Sequence, residues 1–167
     1  MPEKFKTKRE LIRVAGKLRE LVTITDAKGK ILHRIINPVM VKFYPRDVMQ
    51  IIVGASILAI PVAFTEETWE LGMSLPIYNI LGLMILSLLF ISAFVYYNYY
   101  RNNMKDHWKE FTKRVTTTYL VSFFVVGILL TIIERAPWNT NFIVAFSRTV
   151  IVSFPASMSA SVADMIK

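Results

Sequence analysis

Three glutamates that follow the first apolar run are the residues best suited to chemistry. Glu66, Glu67 and Glu70 lie in a stretch, residues 65–75, that contains no basic residue. Clustered carboxylates are hard oxygen ligands that suit Ca²⁺ or Mg²⁺, and a ring of them attracts cations to the mouth of a pore. The three residues are therefore a candidate cation-binding site, with Glu66 and Glu70 as candidate metal ligands. The alternative is an acidic loop that is simply solvated.

A polar row near the C-terminus could carry ions further. Hydroxyls and a carboxylate aligned on one face of a helix can line an ion pathway, whereas small residues at the same spacing also form close helix–helix contacts. Ala55, Ala59 and Ala63 make a similar row in the first apolar run, and there too both interpretations apply. The members of the C-terminal row are Thr149, Ser153, Ser157, Ala160 and Asp164.

One arginine interrupts the last apolar segment. Arg148 would lie about 9 Å inside a helix that begins at residue 142, at about 1.5 Å per residue. A charge at that depth is costly and is normally paired or functional. We expect a structural ion pair with Glu134, or with Glu66 or Glu67. A gate or an anion contact is the functional alternative.

Four apolar segments are each long enough to cross a bilayer core of about 30 Å as a helix. Pro61 and Pro155 lie inside the first and the last of them. Because proline lacks a backbone donor, each one predicts a helix kink and frees a carbonyl oxygen. The segments are residues 48–65, 76–97, 116–133 and 142–163.

Basic residues are distributed very unevenly along the chain. Residues 1–47 hold 12 of the 20 Lys and Arg residues, and residues 101–114 hold 5 more. By the positive-inside rule, both termini and the central loop are cytoplasmic and the glutamates lie outside. The sequence therefore predicts a multi-pass protein of the cell inner (plasma) membrane. The basic start is not followed by the apolar run of a secretory signal peptide.

The first 46 residues differ in character from the rest and predict a small cytoplasmic α+β element. Residues 4–20 carry an apolar face and a basic face, which predicts an amphipathic helix that packs on its own domain or lies on anionic lipid headgroups. Three runs rich in Val, Ile and Thr then predict short strands, at residues 21–25, 31–36 and 39–44. Residues 26–30 suit a hairpin loop. Asp47 and Gln50 fit a capping box that would open the first membrane helix.

Several classes of function are disfavoured by what the sequence lacks. There is no cysteine, and the two histidines lie far apart in sequence, so a zinc site is not expected. No P-loop, dinucleotide motif, HExxH or serine nucleophile elbow occurs, and we therefore predict that the protein is not an enzyme. The net charge of +8 reflects topology, and no aromatic platform interleaves it, so nucleic acid is not an expected partner.

Two stretches resemble a known family. They are AIPVAFTEETWELG at residues 59–72 and FPAS at residues 154–157, the second followed by Asp164. The chain resembles, from Leu21 onward, a family of prokaryotic integral membrane proteins that is catalogued only as a domain of unknown function. The resemblance implies a prokaryotic multi-pass membrane protein and carries no activity with it.

These observations predict an all-α membrane bundle of four transmembrane helices, residues 47–167, preceded by a small cytoplasmic element of one helix and short β-strands, residues 1–46. The leading functional hypothesis is a homo-oligomeric cation channel with the glutamate cluster at its outer mouth. The alternatives are a small secondary transporter, for which no convincing inverted repeat is visible, and a non-transporting scaffold that binds a cytoplasmic partner. No cofactor is predicted beyond a divalent cation, Ca²⁺ or Mg²⁺, as a permeant or bound ion.

Overall fold

The fold is described from a computed structural model, which describes residues 6–14, 17–26, 31–38, 45–100 and 104–166. The chain divides into two compact units, Met1–Lys42 and Phe43–Lys167. The first holds a small β-sheet and the second holds the helices.

The N-terminal unit contains a three-stranded antiparallel sheet in the order β1-β2-β3. Its strands are β1 (Lys6–Val14), β2 (Lys17–Thr25) and β3 (Ile31–Pro38). The strands predicted at residues 21–25 and 31–36 are confirmed. The third predicted strand, residues 39–44, and most of the predicted hairpin loop lie outside the described residues.

The helix predicted over residues 4–20 is wrong, because this segment forms β1 and the beginning of β2. Lys6 pairs with Thr25 and Val14 pairs with Lys17, so only two residues separate the paired strands in sequence. The helix prediction rests on the spacing of apolar residues within one segment. Whether that segment forms a strand depends on its pairing with another segment.

The second unit is an up-and-down helical bundle. The helices in its described part are α1 (Pro45–Ala63), α2 (Glu66–Ser74), α3 (Ile77–Val95), α4 (Met104–Ile132) and α5 (Phe142–Met165). A π-helical turn, Tyr96–Tyr100, continues α3. Four of the helices are long and apolar enough to cross a membrane, which confirms the prediction of four spanning segments. The acidic segment predicted as a loop forms the short helix α2.

The most polar of the spanning helices lies at the centre of the bundle. Helix α5 packs against α1, α2, α3 and α4. Half of its most apolar 18-residue window is buried, against 22% for α3. The difference in burial follows from the surrounding lipid. Lipid tails are as apolar as leucine, so apolar side chains are stable facing them, whereas polar side chains are stabilised by facing protein. The uncharged α3 therefore presents most of its surface outward.

Helix α1 packs on α5 through its small residues. Ala55, Ala59 and Ala63 are fully buried in a core that α4 and α5 complete. At Gly54 the two backbones approach so closely that an added Cβ would lie 2.9 Å from the Cα of Ala160. The alanine row is thus a packing surface within one protomer.

The two membrane prolines lie inside continuous helices, Pro61 in α1 and Pro155 in α5. The kinks predicted there stay predictions. A departure from helical geometry occurs instead at His107 of α4, whose φ is −127° and ψ is 23°.

Candidate functional site

Three charged side chains meet inside one end of the bundle. Asp47, Arg114 and Asp164 are 1%, 0% and 1% exposed. The guanidinium of Arg114 donates through Nη1 to Oδ2 of Asp164, and its Nη2 lies 3.5 Å from Oδ2 of Asp47. We call these three residues the carboxylate–arginine cluster, and this end of the bundle the Arg114 end.

The antiparallel arrangement of the helices brings the cluster together. Asp47 lies in the first turn of α1 and Asp164 in the last turns of α5, so both carboxylates reach the same end. Arg114 comes from α4 between them. The capping box predicted for Asp47 and Gln50 is wrong, because α1 begins at Pro45 and Asp47 is already inside its first turn. Gln50 Nε2 instead donates to the carbonyl of Ile166, at 2.9 Å.

Tyrosines from the π-helical turn complete this site. The ring centroid of Tyr99 lies 4.2 Å from the guanidinium carbon of Arg114, which is cation–π geometry. The Tyr99 hydroxyl lies 3.5 Å from Oδ2 of Asp164 and donates to it. Tyr100 is fully buried beside them. Because π-helical turns shift side chains relative to a regular helix and are frequent at functional sites, the turn fits this position.

A polar face extends from the cluster into the bundle along α4. Thr118 and Ser122 follow Arg114 at intervals of one turn, and both are fully buried. Ser122 Oγ donates to the carbonyl of Thr118 at 2.7 Å, while Oγ1 of Thr118 has no hydrogen-bond partner among the described residues. The same face continues as Val126 and Leu130, which belong to the apolar core. The polar interior on α4 therefore belongs to the half of the bundle nearest Arg114.

The row predicted on α5 is buried along its whole length. Thr149 Oγ1 donates to the carbonyl of Ala145 at 2.8 Å, and Ser157 Oγ donates to that of Phe154 at 3.0 Å. Ser153 Oγ is buried and has no partner in the described part of the chain. The structure thus joins Asp164 to the cluster, while the hydroxyls of Thr149 and Ser157 donate to backbone carbonyls of their own helix. Their use as an ion pathway stays a prediction.

The glutamates of α2 lie on its exposed surface. Glu66, Glu67 and Glu70 are all exposed, and Glu66 and Glu67 occupy the first turn of the helix. Carboxylates in a first turn are favoured by the helix dipole. Among the residues that the structure describes, no group of three His, Asp or Glu side chains could hold a metal ion. A metal site at Glu66 and Glu70 would need ligands from elsewhere.

Arg148 has different partners from those predicted. It is 8% exposed, and it donates through Nε to the carbonyl of Trp69 at 3.1 Å and through Nη1 to the carbonyl of Arg135 at 2.8 Å. The predicted ion pair with Glu134, Glu66 or Glu67 is absent from the described contacts, and all three glutamates are exposed. The physical reason is that the backbones of α2 and of the turn before α5 lie next to the guanidinium, so their carbonyls accept its hydrogen bonds.

The cover over Arg148 is closely packed. The guanidinium carbon of Arg135 lies 3.8 Å from the ring centroid of Trp69, whose Nε1 donates to the carbonyl of Ala63. An added Cβ at Gly72 would lie 2.3 Å from Cγ of Arg148. We call this end of the bundle the Arg148 end. Arg148 joins α5 to α2 by donating to a neutral backbone carbonyl, that of Trp69.

Sequence reasoning missed Arg114, Tyr99 and Tyr100. Arg114 was counted with the basic residues of the loop at 101–114, although α4 begins at Met104. The signal that could have found it is its helical spacing with Thr118 and Ser122, which continues a polar face into an apolar segment.

A comparison with protein families supplies an independent finding. The model of a family described as "Putative integral membrane protein (DUF2391)" matches residues 23–166. The chain belongs to this family. The match confirms the resemblance seen in the sequence. Together with the four spanning helices, it supports a multi-pass integral membrane protein. All four spanning helices and the whole cluster lie within the matched part. Neither the curated proteins nor the solved structures contain a match.

Proposed function

We propose that this protein is a small secondary carrier whose conformational change is coupled to proton binding at the carboxylate–arginine cluster. One observation supports the proposal: every spanning helix brings an ionisable side chain to the same buried point. Asp47 comes from α1, Tyr99 from the turn that continues α3, Arg114 from α4 and Asp164 from α5. Ionisable groups inside membrane bundles are costly and commonly form proton relays.

The arrangement lets the cluster accept a proton at moderate cost. A buried guanidinium that loses every counter-ion is strongly destabilised. Here two carboxylates share Arg114, so protonating one leaves the other as its partner. Further ionisable side chains on the described first turns of α4 are those of His107, Lys109, Glu110 and Lys113.

Proton binding would change how the helices hold one another. A proton on Asp164 weakens its charge-assisted bond to Arg114, and that bond joins α5 to α4. A proton on Asp47 does the same between α1 and α4. Proton occupancy can therefore bias two arrangements of the helix ends, which is what a coupled carrier requires.

Membrane orientation follows from the basic residues. Residues 1–47 hold 12 of the 20 Lys and Arg residues. By the positive-inside rule, we expect the Arg114 end and both termini on the cytoplasmic side of a plasma membrane. The cluster would then exchange protons with the cytoplasm and the Arg148 end would face outward.

Proton binding can be measured without knowing a substrate. In proteoliposomes adsorbed on a solid-supported membrane, we expect a step to acidic pH to give a charge displacement with wild-type protein. Infrared difference spectra over the same step should show the carbonyl band of a protonated carboxyl. Asp164→Asn should abolish or strongly reduce both signals, and Glu67→Gln, which changes an exposed acid, should leave them intact. Signals unchanged in Asp164→Asn and in Asp47→Asn would refute the proposal.

A cation-conducting homo-oligomer is the second candidate, and the exposure of Glu66, Glu67 and Glu70 on one short helix favours it. Exposed carboxylates around a shared axis would concentrate Ca²⁺ or Mg²⁺ at a pore mouth, and salt would weaken the effect. Such a pore would lie between protomers, because alanine and hydroxyl rows fill the protomer interior.

The channel hypothesis has its own measurement, cation flux into liposomes that contain purified protein. Replacing Glu66 and Glu70 by Gln should reduce the preference for divalent over monovalent cations while the oligomer stays assembled on a sizing column. If wild-type protein passes no cation under any gradient, or if it is monomeric, the channel is excluded. If the proton signals are absent as well, a membrane scaffold becomes the leading hypothesis.

A further inference from the structure

A groove runs along the outside of the bundle beside the Arg114 end. It lies between α1 and the last turn of α5 and has a volume of about 630 Å³. Its α5 wall is formed by Ala163 and Ile166. The hydrogen bond from Gln50 to the carbonyl of Ile166 ties the two walls together, so the end of α5 is fixed in position.

The α1 side of the groove is an apolar stripe. Met49, Val53 and Ile57 succeed one another at intervals of four residues and are 61%, 60% and 61% exposed. The stripe rises about 12 Å along the helix, at about 1.5 Å per residue. One leaflet of a bilayer core is about 15 Å deep, so the stripe matches most of the length of one acyl chain.

A cation stands at the end of the stripe where a lipid headgroup would lie. Arg46 lines the groove one turn before Met49 and is exposed. A guanidinium binds phosphate oxygens in a bidentate manner, and the first turn of α1 adds the positive end of a helix dipole. The neighbouring acid, Asp47, is turned inward toward Arg114. Arg46 therefore presents its charge on the groove side.

A second groove on the bundle has no charged lining residue. It lies near the Arg148 end, has a volume of about 320 Å³, and is lined by Phe123, Phe124, Gly127, Ile128, Thr131, Ile132 and Trp138. None of these side chains is charged, so this groove suits acyl chains alone. Only the groove at the Arg114 end combines an apolar stripe with a phosphate-binding side chain, among these two.

We propose that the groove at the Arg114 end binds one anionic phospholipid. Its acyl chain lies along Met49, Val53 and Ile57, and its phosphate is bound by Arg46. The site is separate from the carboxylate–arginine cluster, and it stands whether or not the cluster binds protons. Chemical recognition rests on two parts, an apolar chain and a phosphate, and each part can be removed on its own.

Native mass spectrometry of the detergent-purified full-length protein tests the phosphate part. We expect wild-type protein to retain phosphatidylglycerol in preference to phosphatidylcholine. Arg46→Gln should lower phosphatidylglycerol retention about fivefold, the effect of one basic residue near an anionic surface. Lys109→Gln, which removes an exposed positive charge on α4, is the matched control and should change retention little. Equal losses in the two variants would refute a specific phosphate contact at Arg46.

A second pair of variants tests the acyl part. Val53→Trp fills the groove and should remove the retained lipid, whereas Leu89→Trp, at an equally exposed position on α3, should not. Thermal unfolding curves identify any variant that fails to fold, and the Arg46→Gln result does not depend on this pair. Inorganic phosphate should fail to displace phosphatidylglycerol. Displacement by phosphate, or full retention in Val53→Trp, would overturn the lipid site.

Discussion

Replacing Arg114 with methionine should destabilise the protein by about 3–5 kcal/mol, the cost of breaking a buried ion cluster by removing one partner. Methionine can fill much of the space but leaves Asp47 and Asp164 facing each other in a site with 1% exposure. Two buried carboxylates that have lost the cation they share are far more costly than the lost contacts. The measurement is the free energy of unfolding in mixed micelles, with Lys109→Met, an exposed position on the same helix, as the control.

The origin of that loss can be separated from a packing effect. If the loss of the shared cation causes it, adding Asp47→Asn and Asp164→Asn to Arg114→Met should recover most of the stability, because this buried site then carries no charge. A packing defect would persist in the triple variant. A single variant as stable as wild type would mean that Arg114 is not a structural partner of the two acids.

The spanning helices could be predicted because their signal is local. A run of apolar residues long enough for the bilayer forms a helix regardless of its neighbours, since every backbone group must be satisfied within the segment. This holds for α3, which has few protein contacts, and for α5, which has many. The beginning of α4 was less clear, because its first turns are charged and resemble a loop.

The N-terminal sheet illustrates the opposite case. Residues 6–14 carry both helical and strand patterns, and only their pairing with β2 decides between them. The spacing of apolar residues within one segment does not reveal such pairing. A charged amphipathic helix and a charged hairpin can also have the same composition.

The candidate site could be predicted only in part. The polar face of the last helix indicates Asp164, but its partner Arg114 lies 50 residues away in sequence. Asp47, the other acid of the cluster, lies still further away. Arg148 was recognised as an intramembrane charge, yet its acceptors are backbone carbonyls of Trp69 and Arg135, which no side-chain pattern reveals. Contacts between distant segments are determined by how the helices pack. The spacing of residues within each segment does not determine that packing.

The packing of α1 on α5 gives the second large expected effect, at Gly54. An added Cβ there would lie 2.4 Å from the Cβ of Ala163, 2.9 Å from the Cα of Ala160 and 3.1 Å from the carbonyl oxygen of Ser159. Two of these atoms are backbone, so the helices must separate to admit a methyl group. Gly54→Ala should therefore destabilise the protein by about 1–3 kcal/mol, the usual cost of overpacking.

Gly82 is the matched control for that substitution. It lies within α3, and apart from the nearby backbone of that helix no described atom would come within 4 Å of its added Cβ. Gly82→Ala should be neutral or stabilising by up to about 1 kcal/mol, because alanine is the better helix former. The two variants make the same chemical change with opposite expected signs in thermal unfolding. Ala163→Gly, which removes the nearest atom, should restore part of the stability of Gly54→Ala, whereas equal stability of Gly54→Ala and Gly82→Ala would show that α1 and α5 do not pack at this distance.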